Sequence, residues 1–281
     1  MRLRTRPSRS RRRPDWSGRH VLITGGSSGI GLALVRELRC RGALVSVVAR
    51  DPAKLREVAA EPGPVGSAPV ATVSADVASR ADLDRAVAEL TALHGPVDTL
   101  ITSAGTVRPG YFEELDHEFF RTTMDVNYFG TLHAVRAVLP GMLARGSGTL
   151  VCISSAAGLY GLVGYSAYAP SKFAVRGLCE SLRMELRPHG IQVSGVYPGD
   201  VDTPQLAMEQ PYKPKELAAL GGTLRPAGAR EVALAVLRGV EAGRPTIVPG
   251  AANRAVALLA RLTPLLAGGY ADRIVARSRR D

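Results

Sequence analysis

Residues His20 to Gly31 read His-Val-Leu-Ile-Thr-Gly-Gly-Ser-Ser-Gly-Ile-Gly and run straight into an apolar-periodic segment. Val21, Leu22 and Ile23 form a continuous apolar run, the pattern of a strand buried on both faces of a parallel sheet. This strand is expected at the sheet's centre. Gly25, Gly29 and Gly31 then make a turn free of Cβ atoms, where backbone N–H groups and the N-terminus of the next helix can approach a pyrophosphate. The stretch therefore predicts a dinucleotide site. Its spacing, Gly-three-Gly-one-Gly, differs from the Gly-one-Gly-two-Gly of the common dinucleotide fingerprint. An ordinary Gly-rich turn is the alternative reading of the glycines alone.

With 281 residues and 46% hydrophobic composition, the chain is long enough for one large α/β domain with its core. Of the net charge of +11, seven arginines fall between Met1 and Arg13, leaving +4 for the rest. A basic arm can bind nucleic acid, yet no aromatic-interleaved basic strand or recognition helix accompanies it. A solvated tail over residues 1–17, or attraction to an anionic membrane surface, fits better. No apolar run follows the arginines, so the segment does not read as a secretory signal and a cytoplasmic protein is expected. Cys40, Cys152 and Cys179 are read as buried reduced thiols inside elements. The five histidines lack zinc-ligand spacing, so no metal is expected.

Past the glycines, Leu32 to Arg41 reads as a helix ended by Gly42, and Ala43 to Ala49 as a second strand. In dinucleotide folds an acid about 20 residues past the glycines takes the ribose hydroxyls. Here the strand ends Val48-Ala49-Arg50, which suits an adenosine 2′-phosphate and favours NADPH over NADH. A third strand, Val70 to Ala75, leads into Asp76-Val77. Asp76 either bonds the adenine edge or caps the helix from Ala81 to His94. Thr99 to Ser103 is a fourth strand ending in Ala104-Gly105. His117 to Leu143 reads as one long helix interrupted only at Pro140-Gly141. Within it Asn127 either bonds its own helix or faces the site.

Gly148 to Ile153 forms a fifth strand with Ser154-Ser155 at its carboxyl end. Tyr168 and Lys172 then share one helical face at i,i+4, and Pro170 is tolerated in the first turn. That helix reaches about Arg187. Ile191 to Tyr197 is a sixth strand, running into Pro198-Gly199-Asp200-Val201-Asp202-Thr203-Pro204. Gln205 to Gly222 reads as a mobile substrate loop with short helical pieces. A helix at Ala229 to Glu241 and a strand at Thr246 to Val248 complete a seven-stranded, doubly wound parallel sheet. Beyond it, Ala255 to Ala267 is apolar but too short to span a bilayer, and it carries Arg261 and Pro264. The extension over residues 251–281 is expected either to lie at a membrane interface, with Arg254, Arg261, Arg273 and Arg277 near headgroups, or to cover the core.

In this order the residues resemble the short-chain dehydrogenase/reductase family over Gly18 to Gly250. The carriers are Thr24 to Gly31, Ala104-Gly105, Asn127, Ser155, Tyr168 with Lys172, and Pro198-Gly199 with Thr203. Within the family the chain is most similar to the 3-ketodihydrosphingosine reductases. That closer likeness rests on Val48-Ala49-Arg50, Gly110 to Leu115, Ser171 to Leu178 and Asp200 to Pro204. Two departures are visible: Thr102-Ser103-Ala104-Gly105 stands where the family usually has Asn-Asn-Ala-Gly, and Gly199 where the subgroup often has a second proline.

The resemblance implies a single Rossmann-like domain that reduces a ketone with NADPH. It implies Tyr168 as the acid, Lys172 as the cation that lowers its pKa and holds the nicotinamide ribose, Ser155 on the substrate oxygen, and Asn127 holding a relay water. Thr24, Gly25, Ser27, Ser28, Gly29, Ile30, Gly31, Arg50, Asp76, Val77, Ala104, Gly105, Pro198, Gly199, Val201 and Thr203 would complete the cofactor site. Tyr165 is a weaker candidate acid because its i+4 partner is Ala169. Ser154 is the weaker serine, since strand alternation turns only one of the pair into the site, and the family's spacing to Tyr168 implies Ser155. A keto-lipid is the implied substrate, with Asp200 either pairing its ammonium or capping the turn to Thr203. Another ketone, such as a 3-oxoacyl thioester or steroid, and a non-catalytic NADP(H)-binding protein are the rival readings. Family members often form homo-oligomers through the helices that here carry Asn127 and Tyr168.

Overall fold

The strand of Val21, Leu22 and Ile23 is buried over its whole length, and its side chains alternate between two apolar clusters. The computed structural model describes residues 16–221, 225–262 and 264–278. The arginines of the tail, Gly222 and the last three residues of the extension lie outside the described residues. In chain order the elements are β1 (His20–Thr24), α1 (Gly29–Arg39), β2 (Leu44–Ala49), α2 (Pro52–Ala60), β3 (Ala71–Ser74), α3 (Arg80–His94), β4 (Thr99–Thr102) and α4 (His117–Met124). There follow α5 (Gly130–Arg145), β5 (Gly148–Ile153), α6 (Tyr168–Leu186), β6 (Ile191–Val196), β7 (Val201–Asp202), α7 (Pro204–Glu209) and α8 (Lys215–Gly221). The chain closes with β8 (Ala227–Gly228), α9 (Ala229–Glu241), β9 (Thr246–Ile247), α10 (Ala251–Leu262) and α11 (Pro264–Ser278).

Seven parallel strands pair in the order β3-β2-β1-β4-β5-β6-β9. The centre is β4, not β1 as expected. The chain winds outward from β1 through β2 and β3, then returns to the other side for β4, β5 and β6. The added β9 then moves the middle from between β1 and β4 onto β4. On one face Val21, Ile23, Val45 and Val47 pack with Leu34, Leu38, Val236 and Leu237 from α1 and α9. On the other, Leu22, Leu100, Leu150 and Val193 pack with Leu83, Val135, Met142 and Val175 from α3, α5 and α6. Each such side chain contributes about 1.5–3 kcal/mol by leaving water. Trp16, just before Gly18, joins the first cluster, and its indole Nε1 donates to Glu241 at 2.8 Å.

Two local expectations are corrected. The long helical segment does not break at Pro140; α5 runs through it to Arg145, held by buried Val138 and Met142 on either side. The interruption lies at Asp125–Phe129, a π-helical turn that contains Asn127. Such turns insert one residue and redirect the side chains that follow. Between Gln205 and Gly221 the segment holds the expected short helical pieces, which are α7, a 3-10 turn at Gln210–Tyr212, and α8. A small parallel pair, β7 with β8, anchors its two ends and was not foreseen. Cys40 is exposed at the end of α1, whereas Cys152 and Cys179 are buried.

At the sheet's amino edge, His20 and His94 form a chain with Ser46. The polar network assigns the tautomers: His20 Nδ1 donates to the Gly95 carbonyl at 2.7 Å, Ser46 donates to His20 Nε2 at 2.8 Å, and His94 Nδ1 donates to Ser46 at 3.1 Å. The bond that Ser46 donates to Nε2 requires neutral His20, and burial lowers both imidazoles below their ordinary value. A base whose folded pKa is depressed binds fewer protons folded than unfolded, so stability is complete above about 6.5 and falls as pH drops below it. Urea midpoints should therefore decline from about pH 7.5 to about 5.5, and His20→Asn should flatten that decline. Equal slopes in the two proteins would show that the network is not the titrating element.

Candidate active site

Each glycine of the first turn answers a different contact. Gly25 has φ +70°, and a Cβ there would sit 2.6 Å from the Ala104 backbone. Gly29 has φ +51° and faces Thr203, whose Cγ2 would lie 3.2 Å from an added Cβ. At Gly31 the added atom would come within 2.2 Å of the Gly25 carbonyl oxygen. The turn thus holds Ala104 and Thr203 against the start of α1. Gly26, passed over in the sequence, is equally constrained, since its Cβ would meet Val47 at 2.9 Å. Ser28 precedes α1 in extended backbone without a side-chain cap, and no acid occupies the first helical turn. Ser27, Ser28 and Ile30 are half-buried around those uncapped N–H groups. This Cβ-free cradle at a helix N-terminus fits the pyrophosphate of a dinucleotide.

The adenosine side is less uniform. Arg50 is exposed just past β2, while the Asp51 carboxylate beside it is taken by the N–H groups of Ala53 and Lys54. Asp76 does not cap the following helix. Ser79 does, accepting from the Asp82 N–H at 3.2 Å, because α3 starts at Arg80 and puts Asp76 outside capping position. Asp76 instead accepts from the Ala78 N–H at 3.0 Å. Val77 is buried against Gly130, and its carbonyl accepts from His133 Nδ1 at 3.2 Å.

Thr24 lies beneath Ala104, whose N–H reaches its Oγ1 at 3.5 Å. A Cβ on Gly105 would stand 3.2 Å from Asn127 Oδ1 and 3.5 Å from Lys172 Nζ, so this glycine lets two polar groups converge beside β4. Asn127 is buried. Its Oδ1 accepts from the Thr106 N–H at 2.8 Å, and its Nδ2 donates to the Thr106 carbonyl at 3.0 Å and to Ser171 Oγ at 2.9 Å. The π-helical turn aims this carboxamide away from its own helix, and it ties the loop after β4 to α6.

Ser155, Tyr168 and Lys172 come together at the carboxyl end of β5. Ser154 faces the other way, its hydroxyl donating to the Lys172 carbonyl at 2.9 Å. Lys172 is buried, donates to the Ile153 carbonyl at 3.3 Å, and stands 5.5 Å from the Tyr168 ring centre. Burial lowers its pKa to about 8, against the raising effect of Cys152. The expected lowering of Tyr168 is not found. Burial raises it, with Glu209 and Asp200 adding to the rise, and only the hydrogen bond with Ser155 opposes it. The Lys172 nitrogen, 5.5 Å from the ring centre, does not reverse that balance.

Tyr165 is also set apart: its hydroxyl donates to Glu209 at 2.9 Å, and its ring packs 5.2 Å from that of Tyr168. Burial followed by the Glu209 charge raises its pKa strongly. Asp200 neither caps the turn nor stands open: Thr203 accepts from the Leu206 N–H, and the Asp200 carboxylate is 3.0 Å from Lys213 Nζ. Val201 pairs with Ala227 across β7 and β8. Two contributions were not visible in the sequence. Asn253 of α10 donates to the Tyr197 carbonyl at 2.9 Å and lies against Gly199, so the extension reaches back to Pro198-Gly199. Glu209 carries a buried carboxylate to the site, from a segment without sustained periodicity.

A family model described as short chain dehydrogenase matches residues 19–213. The 3-ketodihydrosphingosine reductase of Dictyostelium discoideum is 40% identical over 243 residues, covering 80% of this chain and 73% of that protein. The 3-dehydrosphinganine reductase of Danio rerio is 39% identical over 234 residues, covering 82% and 70%. A crystal structure of a short-chain dehydrogenase from Streptomyces avermitilis superposes with a TM-score of 0.76 at 29% identity, covering 94% of this chain and 99% of the other.

The turn geometry gives a direct expectation. Gly31→Ala should lower stability by about 1–3 kcal/mol, as overpacking does, and weaken nicotinamide dinucleotide binding, read together by urea titration and by protein fluorescence with added dinucleotide. Unchanged binding would show that the cradle is not where the dinucleotide sits.

Proposed function

The chain belongs to the short-chain dehydrogenase family of oxidoreductases, and we propose that it reduces a long-chain 3-keto sphingoid base to its secondary alcohol with NADPH. The observation that carries the reading is the convergence of Ser155, Tyr168 and Lys172 beside Gly105. The names of the two relatives support the substrate class.

Bound NADPH supplies hydride to the carbonyl carbon. The glycine turn from Thr24 to Gly31 would hold its pyrophosphate, Arg50 its 2′-phosphate, and Asp76 with Val77 its adenine. Ala104, Gly105, Lys172, Pro198, Gly199, Val201 and Thr203 would hold the nicotinamide half. Ser155 donates a hydrogen bond to the carbonyl oxygen and stabilises the negative charge that develops there. Tyr168 gives its phenolic proton to that oxygen. Its raised pKa keeps it protonated at neutral pH, the state that a proton donor for reduction must hold. Lys172, with its pKa lowered to about 8, is mostly protonated at neutral pH, so its ammonium stabilises the phenolate left behind and can return a proton to it. Asn127 fixes both the loop after β4 and the start of α6, and in this reading a water beside it relays protons to Lys172.

Two surface features support a lipid. An apolar groove of about 370 Å³ runs beside Tyr165, lined by Leu162, Ala169, Pro170 and Phe173. Leu258 and Leu262 are exposed one turn apart on α10 with Arg254 a turn before them, a face suited to the interface of an anionic membrane. Among the described residues no helix is long and apolar enough to cross a membrane. Exposed Leu143 on α5 with Phe173 and Met184 on α6 suits pairing of two copies.

NADPH oxidation against a panel of long-chain and short-chain ketones, run with anionic vesicles, tests the substrate. We expect turnover of 3-ketodihydrosphingosine and its loss by at least about 100-fold in Tyr168→Phe, with NADPH still bound. Preference for short soluble ketones, or near wild-type turnover in the variant, would overturn the assignment. For the cofactor, Ala49→Asp with Arg50→Ala should shift preference toward NADH, since it removes the phosphate's partner and adds repulsion. An unchanged preference would point to another reader of the phosphate, with Ser27 the next candidate.

A further inference from the structure

Glu209 ends α7 with only 6% of its surface exposed, although it carries a carboxylate. Among the described residues it forms no ion pair. The nearby Lys213 is committed to Asp200 at 3.0 Å. Its Oε2 accepts the Tyr165 hydroxyl, whose ring packs on that of Tyr168. Gln205 also bonds the carboxylate, and Lys213 offers it one charge shared with Asp200, so two carboxylates share a single cation and their cost falls when a second cation arrives beside them. Burial pushes the carboxyl above its ordinary range, and its charge reaches the Tyr168 phenol. The group that would answer this negative field is a positive charge carried close to the carbonyl under reduction.

Resting on the reading of Tyr168 and Ser155 as the groups that receive the carbonyl, we propose that Glu209 selects an ammonium on the carbon next to that carbonyl. Asp200 supports it from the mouth of the site, where Lys213 balances it in the ligand-free protein. The substrate class is then α-amino ketones, not ketones at large. Three features separate this assignment from a packing role. The carboxylate lies one ring away from the candidate acid. It is held in place by a phenol that is itself too basic to ionise. The α7 segment carrying it is anchored at its start by the Thr203 cap and the pairing of β7 with β8. A neutral glutamine would satisfy the Tyr165 hydroxyl equally well, so the hydrogen bond alone does not call for a charge.

The test compares 3-ketodihydrosphingosine with its N-acetyl derivative, which keeps the chain and carbonyl but loses the charge, using full-length protein and NADPH. The wild type should favour the amino ketone in kcat/KM by about tenfold or more, and Glu209→Gln should collapse that ratio toward one, mainly through KM. A ratio near one in the wild type, or a ratio untouched by Glu209→Gln, overturns the inference. If the wild type reduces neither compound, the proposed function fails and this inference with it. Should the variant not fold, inhibition of the wild type decides: dodecylamine should inhibit at least about tenfold more strongly than dodecanol, and equal inhibition overturns the inference.

Discussion

The contact between Gly31 and the Gly25 carbonyl governs the rest of the molecule. With room for no Cβ there, the first helix closes onto the first strand so tightly that its N–H groups face the carboxyl edge of the sheet. The same closeness draws Ala104 from the neighbouring strand, and Thr203 from beyond the sixth, into a single rim. Every candidate group lies along this edge. The sheet supplies rigidity from below through two apolar layers, and the loops above it supply chemistry.

Burial then sets the character of the chemical groups. Removing Tyr168 and Lys172 from water pushes the two in opposite directions, the phenol up and the ammonium down, so that both shift toward their neutral forms. At neutral pH the phenol is fully protonated, while the amine, with its pKa lowered to about 8, remains mostly an ammonium. The price of such a site is polar satisfaction: Asn127, Ser171, Ser154 and the Thr106 backbone form a closed set of hydrogen bonds around it. Glu209 stands out from that set because it and Asp200 share the single charge of Lys213.

Much of this was legible in the sequence, and the limits have physical causes. Strand positions followed from apolar runs, and the helix from Ala229 to Glu241 matched its expected bounds because its periodicity is sustained. Tyr168 and Lys172 could be paired from i,i+4 spacing alone. Pro140 misled because proline's missing N–H predicts a break, while packing on both sides holds the helix through it. The π-helical turn at Asp125–Phe129 leaves no signature in residue type. Likewise, the sequence offered Asp76 as the cap, and only the register of α3 selects Ser79. The sign of the Tyr168 shift was out of reach, since a sequence gives the partner's charge but not the depth of burial. Glu209 and Asn253 sit far from the site along the chain, and only the fold brings them back.

The central claim is that this chain passes hydride to the carbonyl carbon of a keto-lipid while its own tyrosine delivers the proton. Incubating the protein with NADPH deuterated on the transferable C4 position and 3-ketodihydrosphingosine, then locating the label by mass spectrometry, tests it most directly. The account predicts a sphingoid alcohol carrying deuterium on the former carbonyl carbon, formed by the wild type and absent with Tyr168→Phe. Alcohol formed without the label, or labelled alcohol formed equally by the variant, would contradict it.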